Sequence, residues 1–409
     1  MGLGKCRSCG ANTLITLIDF GDMPLANSYP ASEDACQREM LMPLHAVFCE
    51  TCWLVQLLDS VSPEVLFDQY SYLSSYSTTW LEHAERFVDK AIGKWNLTKD
   101  SLVLEIASND GYLLKNFLAR KIPVLGVEPA ENIALQANSQ EIPTLQTYFN
   151  LDLSQKLKKD GVSPDLVIAN NVMAHVPSVN DFVAGVANLL SPSSIFSIEF
   201  PTVQTLLAEG QFDQIYHEHY SYFSLHSCSD VLERHGLRVI DVETLPTHGG
   251  SLRVTAALGD AENNVSGSVA ELMEKEVQSG LCDLSIYQRF GKLASDRASS
   301  VTRLLNSLVD NGKVIAAYGA AAKGNTLLNY CHIDRSIIDF VIDKSALKHN
   351  HFLPGSHIPI YDVDILETKT PDFLVLLPYN LENEIIAQLK SSGLFSGQFI
   401  GTLPQAHII

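Results

Sequence analysis

Apolar positions along the chain change their period near residue 100. Before it, a strand-like run at 14–18 is followed over 61–100 by helical spacing, with Leu81, Ala84 and Val88 on one stripe. From Leu102, short apolar runs alternate with helical stretches. Residues 102–106 form the first run, followed by the loop Ala107-Ser108-Asn109-Asp110-Gly111 and a helix expected over 112–120. Further strands are expected at 124–127, ending at Glu128, at 166–169 and at 195–198. Such alternation predicts parallel βα units and a doubly wound sheet. Residues 264–310 turn helical, with Leu293, Val301, Leu304, Leu305 and Leu308 as an apolar stripe, and read as a connector. A second βα unit opens at 314–317, with the loop 318–324 and a helix from Asn325. Strands are expected at 337–342, 373–377 and 399–400, giving a second α/β layer.

The 409 residues exceed what one core usually serves, so two or three domains are expected. An apolar fraction of 46% with 18% charged residues belongs to a folded chain. The formal net charge is −19, which repels phosphate backbones and argues against nucleic-acid binding. The N-terminus lacks a signal-peptide core, and no run approaches the ~20 apolar residues that span a bilayer. With no membrane partner and no disulfide framework among the eight cysteines, the cytoplasm is the expected compartment. The sequence does not set the oligomeric state.

Cys6-x-x-Cys9 and Cys49-x-x-Cys52 are two knuckles whose four sulfurs suit a tetrahedral Zn²⁺. Four thiolates leave no open position, so such a site is structural. The plainer alternative is a buried or redox-active pair. Cys36, Cys228, Cys282 and Cys331 lack nearby partners and read as core residues.

The loop after the first strand lacks the glycines that admit a pyrophosphate, having Ala107, Asn109 and Gly111 instead. It suits a cofactor with an amino-acid tail, held by Glu105 and the loop N–H groups. Glu128 ends the next strand, where a carboxylate accepts ribose hydroxyls. Asn170 and Asn171 end the following one. An ordinary capped βα turn is the alternative.

The densest ionisable cluster is Tyr216-His217-Glu218-His219-Tyr220-Ser221-Tyr222, after the fourth strand, with His175 able to face the same crevice. Histidine supplies a base and tyrosine an oxyanion donor. If the segment is extended, alternate side chains simply pack; alternatively His217, Glu218 and His219 bind a metal. In the loop Tyr318-Gly319-Ala320-Ala321-Ala322-Lys323-Gly324-Asn325, a lysine at a helix N-terminus suits a phosphate. Asp343 follows Gly319 by 24 positions, as a ribose-binding acid would, so a nicotinamide site is one alternative and a packed turn another.

Taken in order, these motifs resemble the nucleotide-sugar C-methyltransferases that act on C-3′ of dTDP-4-keto-deoxysugars. The resemblance also covers Asp19-Phe20-Gly21-Asp22-Met23-Pro24-Leu25-Ala26-Asn27, the run from Tyr70 to Ser77, and Gly249-Gly250-Ser251-Leu252-Arg253. It implies an α/β protein of three parts: a zinc-binding domain (1–70), a Rossmann-like domain binding S-adenosylmethionine (SAM) (71–262), and a helical connector with a C-terminal α/β Rossmann-like domain (263–409) that helps hold the sugar nucleotide. By resemblance His219 is the general base, and Tyr70, His175, Tyr216 and Glu218 line the sugar pocket. The expected partner is a nucleotide-linked 4-keto-deoxysugar, with Lys323, Asn325 and Asp343 as candidate contacts. Other classes to be weighed are a SAM-dependent O- or N-methyltransferase, a nicotinamide oxidoreductase, and a sugar-nucleotide binder without turnover.

Overall fold

The structure is a computed structural model that describes residues 3–67, 75 and 78–409. Three sheets organise it. In the first, β1 (Leu14–Pro24), β2 (Leu41–Cys49) and β3 (Val55–Leu57) run antiparallel. Leu14 pairs with Cys49, so the strand ends carry both cysteine knuckles to one place.

The central sheet begins after the helix Thr78–Trp95. Its parallel strands are β4 (Val103–Ile106), β5 (Val124–Glu128), β6 (Thr144–Gln146), β7 (Leu166–Asn170) and β8 (Ile195–Pro201). The chain then leaves this sheet, and β9 (Ser221–Tyr222) pairs with β3 in the first one. It returns as the antiparallel pair β10 (Leu237–Leu245) and β11 (Ser251–Leu258), giving the order β10-β11-β8-β7-β4-β5-β6. Strand order reverses beside β4, so the loops after β4, β5 and β7 converge at the carboxyl edge, where such folds bind ligands. This is a Rossmann-like open α/β sheet, as expected for the central part. Pairing of β10 with β11 on the far edge had no counterpart in the apolar pattern, which registers runs and not their partners.

The connector is two helices, Gly267–Gln278 and Leu284–Asp310. The buried stripe of the longer one is Ile286, Phe290, Ala294, Arg297, Val301 and Leu305. Leu293, expected on the stripe, is exposed: it lies one position off this face. The third sheet contains β12 (Ile315–Tyr318), β13 (Val341–Ile342), β14 (Ile360–Tyr361), β15 (Phe373–Leu376), β16 (Gln398–Gly401) and β17 (His407–Ile408), parallel except at β17. The strand expected over 337–342 is only two residues long. Asp334 explains this: its carboxylate accepts from Ser336 N at 2.8 Å and its carbonyl from Ile337 N and Ile338 N, making a turn.

Cores cross these units. Residues of β1, β2, the long helix and β12 share one core, while Cys6, Cys49 and Cys52 pack in another with Ile106, Val167 and Ala169 of the central sheet. Cys36, Cys228 and Cys331 are buried as expected, but Cys282 is only half-buried, at the turn between the connector helices. No helix among the described residues is long and apolar enough to cross a membrane.

Candidate active site

The cysteine knuckles are built alike. Gly10 N donates to Cys6 O at 2.9 Å and Trp53 N to Cys49 O at 2.8 Å, with Gly10 and Trp53 both at positive φ. The four sulfurs lie within 4.8 Å of one another, with Cys6–Cys52 at 3.6 Å and Cys9–Cys49 at 3.5 Å. Sulfurs ~2.3 Å from a tetrahedral centre stand about 3.8 Å apart, so the set fits Zn²⁺. The bond from Cys52 lowers the Cys6 thiol to about 5, whereas burial raises Cys9 to about 11. Four crowded sulfurs cannot all ionise without a cation, which is the role zinc fills. Among the described residues no other group of three or more Cys, His, Asp or Glu converges in this way, so the His217–Glu218–His219 metal alternative has no geometric support.

At the carboxyl edge of β4, the loop takes a backbone path that L side chains resist: φ is +52° at Ala107, +50° at Asn109 and +77° at Gly111. Gly111 is required there twice over, since a Cβ would also strike Ile142. Glu128 accepts from Asn109 N at 3.0 Å and Ala130 N at 2.9 Å; burial lifts it to about 7. Burial, then Asp110 and Glu128, push Glu105 well above the carboxylate range. Glu105 Oε2, both Asp110 carboxylate oxygens, Asn170 Oδ1 and Asn171 Oδ1 are buried without protein partners among the described residues. Such a set of buried oxygens fits a ligand that donates hydrogen bonds and carries positive charge. SAM, with its ammonium and sulfonium, is such a ligand.

The segment after β8 is not extended. Between the 3₁₀ turn Phe212–Gln214 and β9 it turns sharply, bringing Tyr216 onto His219. The Tyr216 hydroxyl and His219 Nε2 are 2.7 Å apart, and His219 Nδ1 meets Gln214 O at 2.9 Å. A carbonyl only accepts, so Nδ1 carries the proton and Nε2 the lone pair. Burial, reinforced by His175, holds His219 well below the ordinary imidazole value. Burial also lowers His175 to about 4; its ring lies 4.8 Å from that of His219, edge to face. Glu218 points differently, accepting from Asn27 Nδ2 at 2.6 Å, and is raised to about 7 by burial. His217 turns away to Met42 O. A small cavity of about 10 Å³, room for roughly one water, lies against His219, lined also by Ala174, Thr202, Gln214 and Tyr222. Tyr70 lies outside the described residues.

From the C-terminal loop, Lys323 reaches this centre. Burial lowers it to about 8, it donates to Asn380 Oδ1 at 2.8 Å, and its charge helps keep His219 and His248 unprotonated. Asn325 and Asp343 are tied elsewhere. Asn325 donates to Ala26 O, although its Oδ1 has no partner among the described residues. Asp343 accepts from Ala320 N at 2.7 Å and Ser345 N at 2.8 Å, closing its own loop.

Several residues at the site had been given no role by the sequence, Asn27 among them although it ends a motif that carries the resemblance. Gln214 fixes the tautomer of His219 through its carbonyl. Asn27, 191 positions from Glu218, holds that carboxylate. Glu199, at the carboxyl end of β8, is buried between Arg253 (2.6 Å), His83 (2.9 Å) and Thr247 (3.0 Å). Burial opposes its charge, but His83 and Arg253 outweigh burial and lower it.

Comparison with known proteins decides the family. The chain is 35% identical over 407 residues to the C-methyltransferase NovU of Streptomyces niveus, covering 100% of this chain and 97% of that protein. The chain belongs to the C-methyltransferase family. Three family models match along this C-methyltransferase: a zinc-binding domain over 6–67, a methyltransferase domain over 79–242 and a C-methyltransferase C-terminal domain over 246–404. Solved structures that align include the magnesium protoporphyrin IX methyltransferase of Synechocystis PCC 6803 with bound SAM, at 16% identity and TM-score 0.34, over 44% of this chain and 79% of that one. Another is a SAM-dependent methyltransferase from Clostridium acetobutylicum ATCC 824, at 12% identity and TM-score 0.33, over 44% and 92%. The assignment does not rest on them. The protein is thus a SAM-dependent C-methyltransferase with an N-terminal zinc-binding domain.

Proposed function

We propose that this C-methyltransferase methylates C-3′ of a nucleotide-linked 4-keto-deoxysugar through an enolate. The observation that carries the reading is His219: neutral, buried, its Nδ1–H fixed on Gln214 O and its Nε2 lone pair beside a tyrosine hydroxyl. An imidazole kept neutral has its lone pair free to accept a proton at pH 7. A C-4′ ketone acidifies the C-3′ hydrogen. His219 Nε2 takes that proton, and the electron pair moves onto the C-4′ oxygen. In doing so the substrate displaces Tyr216 from Nε2, and the freed hydroxyl donates to the enolate oxygen. SAM supplies the electrophilic methyl group that the nucleophilic C-3′ carbon takes.

Other residues position and screen. Glu105, Ala107, Asn109, Gly111, Glu128, Asn170 and Asn171 surround the cofactor. Glu218, held by Asn27, orients a sugar hydroxyl; His175 lines the sugar pocket, and for Tyr70 only the resemblance speaks to such a role. Lys323 faces the anionic nucleotide side, with Asn325 and Asp343 ordering the loop that carries it. The parts follow the division 1–70, 71–262 and 263–409, and a cytoplasmic setting suits zinc held by reduced thiols. The test is methyl transfer to a panel of nucleotide-linked 4-keto-deoxysugars, read by mass, with the methyl position read by NMR. Methyl on C-3′ is the expected product. Methyl on oxygen or nitrogen would overturn the reading.

A further inference from the structure

The zinc knuckles reach into the catalytic centre from two sides. On one side, β3 begins three residues after Cys52 and pairs with β9, setting Val55 opposite Tyr222 and Gln56 opposite Ser221. Leu57 N also donates to Tyr220 O at 3.0 Å. These partners directly follow His219. On the other side stands Arg7, between Cys6 and Cys9. Its backbone N donates to Gln56 Oε1 at 2.9 Å, Nη2 to Leu57 O at 2.8 Å and Nη1 to Pro177 O at 3.2 Å. Pro177 is two residues beyond His175. The guanidinium lies 5.5 Å over the Tyr220 ring. Asn180 closes the contact from the methyltransferase side, donating from Nδ2 to Arg7 O at 2.7 Å and Ser8 O at 2.9 Å.

One rigid fork thus joins the strand beside His219 to the turn that carries His175. Arginine is suited to this, because its donors diverge in a fixed plane and a lysine ammonium has no such spread. We propose that Arg7 is a positioning residue for proton abstraction: through Leu57 and Pro177 it fixes His219 relative to His175, so the zinc knuckle sets catalytic geometry as well as the fold of the N-terminal domain. The inference rests on the reading of His219 as the base.

The test uses full-length, zinc-loaded protein carrying Arg7→Ala or Arg7→Lys. Zinc content, SAM affinity by calorimetry, kcat, KM and the pH profile of kcat are measured. Zinc and SAM affinity should hold while kcat falls on the order of tenfold to a hundredfold, with KM changing less, because small misplacements of a base are costly. The acid limb of kcat should move to higher pH as the loosened pocket lets water reach His219. The groups facing it, Tyr216, Tyr222, His175, Lys323 and His248, all remain. A mere loss of folded enzyme would scale kcat without moving that limb. If Arg7→Ala sheds zinc, Asn180→Ala, which keeps every residue of both knuckles and removes only the bonds to Arg7 O and Ser8 O, carries the same expectations. Wild-type kcat with an unmoved acid limb in zinc-loaded variants would overturn the inference. His219→Asn run beside them separates the two claims: wild-type turnover there would sink the base itself.

Discussion

Between Tyr216 and His219 a single hydrogen bond of 2.7 Å holds the lone pair the proposed chemistry needs, and the carbonyl of Gln214 keeps it there. Replacing His219 by Asn should retain SAM binding and lose roughly 10²–10⁴ of the methyl-transfer rate, the usual worth of a positioned base. His217→Asn should cost little, since that side chain bonds Met42 O instead. Because burial keeps His219 neutral, the acid limb of kcat should lie below 6.5; a limb above that value would point to another base. Glu128 gives a second test. It is raised to about 7, and a cationic ligand favours its charged form, so SAM affinity should rise as pH climbs through 7 and then level off. Calorimetry in buffers of different ionisation heat should show proton release on binding near pH 6.5. Glu128→Ala removes a charged acceptor typically worth about 1.5–3 kcal/mol, which is on the order of tenfold to a hundredfold in affinity. A pH-independent affinity, or no loss in the variant, would contradict this placement of SAM.

The elements that carry these residues differ in how plainly the sequence shows them. Parallel strands buried on both faces are continuous apolar runs, so β4, β5, β7 and β8 were legible to within a few residues. The knuckles were legible because metal geometry demands fixed spacing. Elements decided by local polar bonds were not: Asp334 converts an apolar run into a turn, and the segment around Tyr216, which alternation allowed as a strand, folds back on itself. Zinc should govern the first sheet. Elemental analysis should find about one metal per chain, and Cys49→Ser should lose it and lower the melting temperature, because binding free energy at such a site is folding free energy. Full metal retention in a Cys6/Cys9 double variant would contradict the ligand set.

Across the whole molecule, three sheets are laced together at the catalytic segment. Tyr220 and β9 belong to the first sheet by pairing, Thr326 of the C-terminal domain donates to Ile215 O at 3.1 Å, and Tyr29 of the N-terminal domain donates to Ala320 O at 2.6 Å. This lacing is what the sequence could not display. Asn27 and Glu218, Arg7 and Pro177, and Tyr29 and Ala320 meet across 170 or more positions, and no local periodicity records such a meeting. The ordered motifs could be read as a kind of enzyme, but the contacts that aim its base exist only once the chain has closed. The central claim, that the enzyme makes a carbanion at C-3′, has a direct test in hydrogen exchange. A nucleotide-linked 4-keto-deoxysugar is incubated in D₂O with the enzyme and S-adenosylhomocysteine, which has no methyl to give, and C-3′ is followed by NMR. Wild-type enzyme should wash deuterium into C-3′ where solvent can reach the base, and the His219→Asn variant should not; exchange at the wild-type rate in that variant would contradict the account.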